Sequence, residues 1–242
     1  MAGQKRNIET VFSPALFPGF RNPDAIAVIV DILRATSAIV TAFHNGVNRI
    51  IPVGTLEEAR TFKQKGYMVA AERDGLVQDF ADFGNSPFNF TPERVKGKNI
   101  VYSTTNGTQA IQMARECSRV LIGAYLNFTP LVNSLLQMDK DVILLCAGWK
   151  NKFNLEDTLF AGALAEKLIE SGKYRTICDS TLAAVDLYTC ARGDLLAYID
   201  KVAQRSRLRK NNLDDVIDYC HTFDITHVIP ALKEDFLEVL EG

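Results

Sequence analysis

Short apolar runs alternate with longer amphipathic stretches along most of this chain, the pattern of an α/β fold. Ala25–Asp31 (AIAVIVD) is rich in β-branched residues and apolar on both faces, as a central strand covered on each side requires. Thr36 or Ser37 then supplies a helix N-cap, and Asn45-Gly46 ends that helix after His44. The pattern continues with a strand over Asn48–Val53, a helix over Thr55–Lys65 and a strand over Met68–Ala71. A loop-rich passage follows from Glu72 to Lys98. Asn99–Ser103 and Arg119–Ile122 predict strands, each followed by a helix, over Asn106–Cys117 and Asn127–Gln137. Asp141–Cys146 (DVILLC) is a second strand of the central type, and Leu155–Ser171 a long helix that Gly172 stops. From Ser180 onward the chain reads mostly as helices, with a short strand near Thr226–Ile229.

AIAVIVD and DVILLCAG are each followed by a polar turn and a helix, as two similar α/β halves would be. No low-complexity linker separates them. Residues 1–242 are therefore expected to form one compact α/β unit, with closely packed halves at 1–125 and 126–242 and the active site between them.

Composition narrows the function. The 242 residues are 47% hydrophobic and 23% charged, ordinary for a soluble domain. Lys and Arg (27) nearly balance Asp and Glu (29), which argues against a nucleic-acid partner. The nearest basic cluster, Arg205, Arg207, Arg209 and Lys210, reads as the solvated face of a helix rather than a phosphate-binding patch. Five cysteines are widely spaced without a CxxC pair, so reduced thiols in the cytoplasm are the simpler reading. The N-terminus carries charges with no apolar stretch after them, unlike a signal peptide, and no window approaches the ~20 apolar residues of a membrane span.

Ligands of α/β sheets gather beyond the C-terminal ends of strands, and four polar clusters fall at such ends. In the first, Asp31 needs a metal or cation partner if buried, Arg34 offers a planar fork to an oxyanion, and Thr36 and Ser37 open a helix whose free N–H groups attract anions. An Asp31–Arg34 structural pair with an ordinary cap would explain the same residues. In the second, Glu72 follows a strand and suits Mg²⁺, which takes one or two carboxylates; a surface charge beginning a loop is the plain alternative. Further on, Asn85 and Ser86 sit in a turn. The third, Ser103-Thr104-Thr105-Asn106-Gly107-Thr108, offers hydroxyls, unpaired N–H groups and a glycine allowing close approach, without the lysine of a nucleotide P-loop. In the fourth, Glu156 and Asp157 lie in the first turn of a helix, where the dipole alone would account for them. Metal ligation or acid–base work explains them equally. Cys146 at a buried strand end is more often inert than nucleophilic.

Several phosphatase chemistries are excluded by residue pattern. Five residues after Cys146 stands Lys152 rather than Arg, Asp31 has Leu33 two positions on rather than a second Asp, and no RHG triplet occurs. His44, His221 and His227 lack HxH or HExxH spacing.

Taken in order, Val28–Ala42, Ala71–Thr91, Ser103–Ile111, Leu121–Asn127 and Cys146–Gly162 resemble the 2-phosphosulfolactate phosphatase family over roughly residues 10 to 170. The resemblance implies a three-layer α/β/α fold around a mixed, largely parallel sheet. It implies Mg²⁺-dependent hydrolysis of a small anionic phosphate ester, 2-phosphosulfolactate, to sulfolactate and phosphate, a step of coenzyme M synthesis. It points to Asp31, Arg34, Glu156 and Asp157 as catalytic residues and to Asp31, Glu72 and Asp157 as metal ligands. Thr36, Ser37, Asn85, Ser86, Thr104, Thr105, Asn106, Gly107 and Thr108 would bind substrate. The attacking group would be a metal-bound water or, alternatively, Asp31 itself, and Arg73 and Lys150 are candidates for a second anionic group. One departure stands out: where many members carry Ser-x-His before a C-terminal helix, this chain reads Val202-Ala-Gln-Arg-Ser-Arg-Leu. A homodimer is the default expectation for a cytosolic enzyme. A non-catalytic binding protein for phosphorylated or sulfonated acids, and a structural module without a metal site, are the rival classes.

Overall fold

A computed structural model describes residues 4–241; residues 1–3, part of the charged N-terminal stretch discussed above, and residue 242 lie outside it. The first half of the chain contains strands β1 (Arg6–Val11), β2 (Ile26–Val30), β3 (Arg49–Pro52), β4 (Met68–Arg73), β5 (Leu76–Val77), β6 (Asn99–Ser103) and β7 (Arg119–Gly123). Its helices are α1 (Ala35–His44), α2 (Leu56–Gln64), α3 (Pro92–Val95) and α4 (Gly107–Met113). Then come α5 (Phe128–Met138), β8 (Val142–Cys146), α6 (Leu155–Glu170), β9 (Tyr174–Arg175), α7 (Asp179–Ala191), α8 (Leu195–Ile199), α9 (Ala203–Lys210) and α10 (Ile217–Cys220). A hairpin of β10 (Pro230–Lys233) and β11 (Phe236–Val239) follows.

All strands join one 11-stranded sheet, ordered β5-β4-β6-β3-β11-β10-β7-β2-β8-β1-β9. It holds two parallel blocks, β4-β6-β3 and β7-β2-β8-β1-β9. The β10–β11 hairpin joins them through antiparallel pairings, β11 on β3 and β10 on β7. The sheet is thus mixed and mostly parallel, and it draws strands from both stretches of the chain flanking residue 125. At its centre, every residue of β2 and β8 is buried, which explains why both sequences are apolar without alternation. One large apolar core spans β2, β7, β8, α1, α5 and α6. A smaller cluster of Val53, Ala59, Val69, Ala71 and Val101 lies under α2, whose start is fixed by a Thr55–Glu58 capping box.

Four expectations are corrected. The strand from Met68 continues through Arg73, because Asp74 and Gly75 take positive φ angles of 54° and 84° and turn the chain back as β5; Glu72 therefore lies inside a strand rather than after one. Helix α1 has Arg34, not Thr36 or Ser37, at its N-cap. Helix α4 stops at Met113 rather than Cys117. Thr226–Ile229 is irregular, and the strands come just after it. β1 is fully additional to the sequence reading. Among the described residues, no helix is long and apolar enough to cross a membrane.

Candidate active site

The turn after β2 places the first group. Thr36 Oγ1 accepts a hydrogen bond from the Asp31 N–H at 3.1 Å, and Ser37 Oγ donates to the Ile32 carbonyl at 2.9 Å. Both hydroxyls are fully buried, so they shape the turn that presents Asp31 and Arg34. The Leu33–Arg34 peptide is cis. Arg34 is only 4% exposed, its Nη2 donates to Asn85 Oδ1 at 2.7 Å, and its Nη1 is buried without a partner. A buried guanidinium nitrogen left unpaired is costly, and a phosphate oxygen would satisfy it. Burial lowers the Arg34 pKa from its ordinary value. Ser86, next to Asn85, opens a short 3₁₀ turn at Pro87–Asn89.

Loops from β4 and β6 close on this turn. Thr104 Oγ1 accepts from the Thr108 N–H at 3.2 Å and Thr108 Oγ1 donates to the Thr104 carbonyl at 3.0 Å, capping α4 locally. Glu72 ties the same loop to the β4–β5 turn: its Oε1 accepts from the Thr105 N–H and its Oε2 from the Gly75 N–H, each at 2.7 Å. Gly107 is required where it stands, since a Cβ there would lie 2.8 Å from Ala35 Cβ and 3.0 Å from Asp31 Oδ2. Its bare backbone lets α4 approach the Asp31 carboxylate.

The β8–α6 connection supplies the third side. Lys150 and Asn151, at φ 51° and 61°, form a tight turn closed by reciprocal backbone bonds of 3.0 Å between Trp149 and Lys152. Gly148 precedes it at φ 62°, where a Cβ would meet the Lys152 carbonyl oxygen at 2.3 Å. This flap is held to the β6 loop by the Lys150 N–H donating to Asn106 Oδ1 at 3.0 Å. Asp157 on α6 reaches back, accepting from the Ile32 N–H at 2.9 Å and the Gly148 N–H at 3.2 Å. Glu156 accepts from Asn154 Nδ2 at 3.1 Å.

The structure thus brings Asp31, Arg34, Asn85, Asn106, Gly107 and Asp157 to one place, while Thr36, Ser37, Thr104 and Thr108 support it from beneath. Asp31, Glu156 and Asp157 are buried and none has an ion-pair partner among the described residues. Burial first, then the Asp157 charge, pushes the Asp31 carboxyl up; burial first, then Glu156, does the same to Asp157. Buried carboxylates held by N–H donors but without an ion-pair partner are a donor set that a hard divalent cation fits. Among the described residues no three His, Cys, Asp or Glu side chains gather as a ready-made metal cage, so Asp31, Glu72 and Asp157 do not form one as a set. Cys146 is fully buried and its thiol is pushed well up by that burial, which disfavours a thiolate nucleophile.

The candidates for a second anion are spent. Arg73 donates to the Glu72 carbonyl and to Ser103 Oγ, and Lys150 pairs with Asp74 at 2.7 Å. Arg207, read from sequence as solvated, instead lies over the Trp149 ring at 4.5 Å and donates through Nε to Gln204 Oε1 at 2.6 Å. Its neighbours Arg205 and Arg209 do pair at the surface, with Asp200 and Asp214.

The family model for 2-phosphosulpholactate phosphatase matches residues 11–235. A protein of Clostridium novyi named "Probable 2-phosphosulfolactate phosphatase" is 35% identical, covering 84% of this chain and 87% of its own length. A protein of the same name from Thermotoga maritima is 35% identical over 85% of this chain and 88% of its own. Another from Microcystis aeruginosa is 34% identical over 92% and 94%.

Proposed function

The chain belongs to the 2-phosphosulfolactate phosphatase family, and from that premise we propose that it hydrolyses 2-phosphosulfolactate to sulfolactate and inorganic phosphate with Mg²⁺ as cofactor. The observation that carries this reading is the buried Arg34 guanidinium with Nη1 unpaired, set among buried carboxylates that have no ion-pair partner among the described residues.

In this reading Arg34 Nη1 donates to a phosphoryl oxygen, and Asn85 orients the guanidinium by accepting from Nη2. Asp31 and Asp157 would hold Mg²⁺, which supplies charge neutralisation at the phosphoryl group when bound. Glu72 serves by fixing the Thr104–Thr108 loop through its two bonded oxygens. Gly107 lets the start of α4 pack against the Asp31 carboxylate and so keeps that group in place. The new P–O bond forms from water, the bond to the lactate C2 oxygen breaks, and that oxygen takes a proton. Attack by Asp31 would instead form an Asp31 O–P bond that water breaks at phosphorus, giving net retention at a chiral phosphoryl centre where direct attack by water gives inversion.

Five free cysteines support a cytoplasmic setting. The test is phosphate release from small phosphate monoesters, with Mg²⁺ and with EDTA. Mg²⁺-dependent release that favours the sulfonated ester is the expected result. Stoichiometric binding without release would assign the chain to the non-catalytic binding class instead.

A further inference from the structure

The proposed substrate carries a carboxylate and a sulfonate besides its phosphate, so Arg34 cannot satisfy all of its charge. The geometry points to Arg207 as the residue that binds the substrate's second acidic group and sets specificity for it; this rests on the function proposed above.

Four observations converge on Arg207. Of the basic side chains around the site, Arg73 has both terminal nitrogens bonded, to the Glu72 backbone carbonyl and to Ser103 Oγ, and Lys150 is paired with Asp74. Arg207 has no acidic partner within ion-pair distance, and only its Nε is bonded among the described residues. Its terminal nitrogens are left for a ligand. The side chain is also held in place, since cation–π contact with Trp149 fixes one face of the guanidinium. Gln204 fixes its edge and is itself buried, donating through Nε2 to the Leu33 carbonyl at 3.1 Å. The same bond docks α9 against the residue next to Arg34, so the two arginines share one scaffold. Finally, Trp149 belongs to the β8–α6 flap that Lys150 ties to Asn106, which puts the Arg207 guanidinium at the α6 side of the site. An oriented arginine with two free N–H₂ groups suits a carboxylate or a sulfonate equally.

The test compares wild type with Arg207→Gln and Arg207→Lys on three esters: 2-phosphosulfolactate, 2-phospholactate and glycerol 2-phosphate. A charge-assisted contact predicts a loss of about 10–100-fold in kcat/KM, mostly through KM, for Arg207→Gln on the esters that carry the recognised group. Glycerol 2-phosphate, which has no second acid, should be turned over equally by both proteins. A loss confined to 2-phosphosulfolactate assigns the sulfonate; a loss on 2-phospholactate as well assigns the carboxylate. Equal losses on all three esters, or none, overturn the proposal. Sulfolactate binding by calorimetry separates the two readings. If wild type releases no phosphate yet binds sulfolactate, and Arg207→Gln binds it at least ten-fold more weakly, the activity is wrong but Arg207 stands. Unchanged binding overturns Arg207. Arg207→Lys, which keeps charge without the stacked fork, should recover only part of the loss.

Discussion

The Cα of Gly107 faces Asp31 so closely that a Cβ on residue 107 would lie 3.0 Å from Asp31 Oδ2 and 2.8 Å from Ala35 Cβ. A helix end and a carboxylate from different strands are packed together at one atom's clearance. Gly107→Ala must therefore push α4 away from Asp31. The expected cost is about 1–3 kcal/mol of stability, typical of overpacking, with a fall in kcat larger than the stability loss explains. Thermal unfolding and steady-state kinetics on the same preparation check it.

Removing Arg34 takes away the cation assigned to the phosphate. One lost charge-stabilising contact costs about 3–4 kcal/mol in the transition state, so Arg34→Ala should lose roughly 10²–10³ in kcat/KM. Arg34→Lys keeps the charge but not the fork held by Asn85, and should restore little. Full activity in Arg34→Ala would remove the basis of the phosphate assignment.

Asp31, Asp157 and Glu156 are buried with no ion-pair partner among the described residues, so a bound divalent ion should stabilise the native state alone. Mg²⁺ at 100 times its Kd would contribute about 2.7 kcal/mol, or roughly 5–10 °C in Tm for a chain of this size. Asp31→Asn should be inactive, show a smaller Mg²⁺ shift, and unfold at a higher temperature than metal-free wild type. An unchanged Mg²⁺ shift in Asp31→Asn would exclude Asp31 as a ligand.

His221 gives a pH dependence of the opposite origin. Its Nδ1 donates to the Ile217 carbonyl at 2.7 Å while Nε2 is buried without a partner among the described residues, and the Tyr125 ring lies tilted beside it at 5.5 Å. Burial, opposed by the Ile217 bond and the Asp218 charge and aided by Arg205, pushes its pKa down to about 4 from an ordinary value of 6.5. The unfolded chain therefore binds a proton that the folded chain refuses between pH 6.5 and 4. Stability held above pH 6.5 is lost as pH falls through that window, by up to about 3 kcal/mol. Urea unfolding of wild type and His221→Gln at pH 7.5 and 4.5 should show the extra acid-side loss only in wild type.

The strands that carry the site were legible because burial on both faces leaves a simple trace, as in AIAVIVD and VILLC. Asp31 and Arg34 could be picked out for the same reason, as polar residues just past the end of such a run, and Asp157 as an acid in the first turn of the helix that the polar loop after VILLC leads into. Glu72 was misplaced by a strand end although a signal was present: Asp74-Gly75 is a strong hairpin dipeptide. Thr36 and Ser37 looked like caps because hydroxyls at a helix start usually are; here they bond backward to Asp31 and Ile32. Arg207 left no local trace, since its partners Trp149 and Gln204 meet it only through the docking of α9. The β10–β11 strands are short and partly exposed, and their place in the sheet depends on strands far away in sequence.

That hairpin also governs the order in which the fold can be completed during synthesis. Until residues 230–239 have left the ribosome, β3 and β7 have no partner between them and the sheet exists as two separate pieces, each with an unpaired edge. At translation speeds of about 5–20 residues per second, the nascent chain carries both open edges for several seconds after β7 is made. Open edges of this kind template pairing with other chains. A ribosome paused before residue 230 would thus hold a substrate for chaperones, and the sheet would close only when the hairpin slots between its two halves.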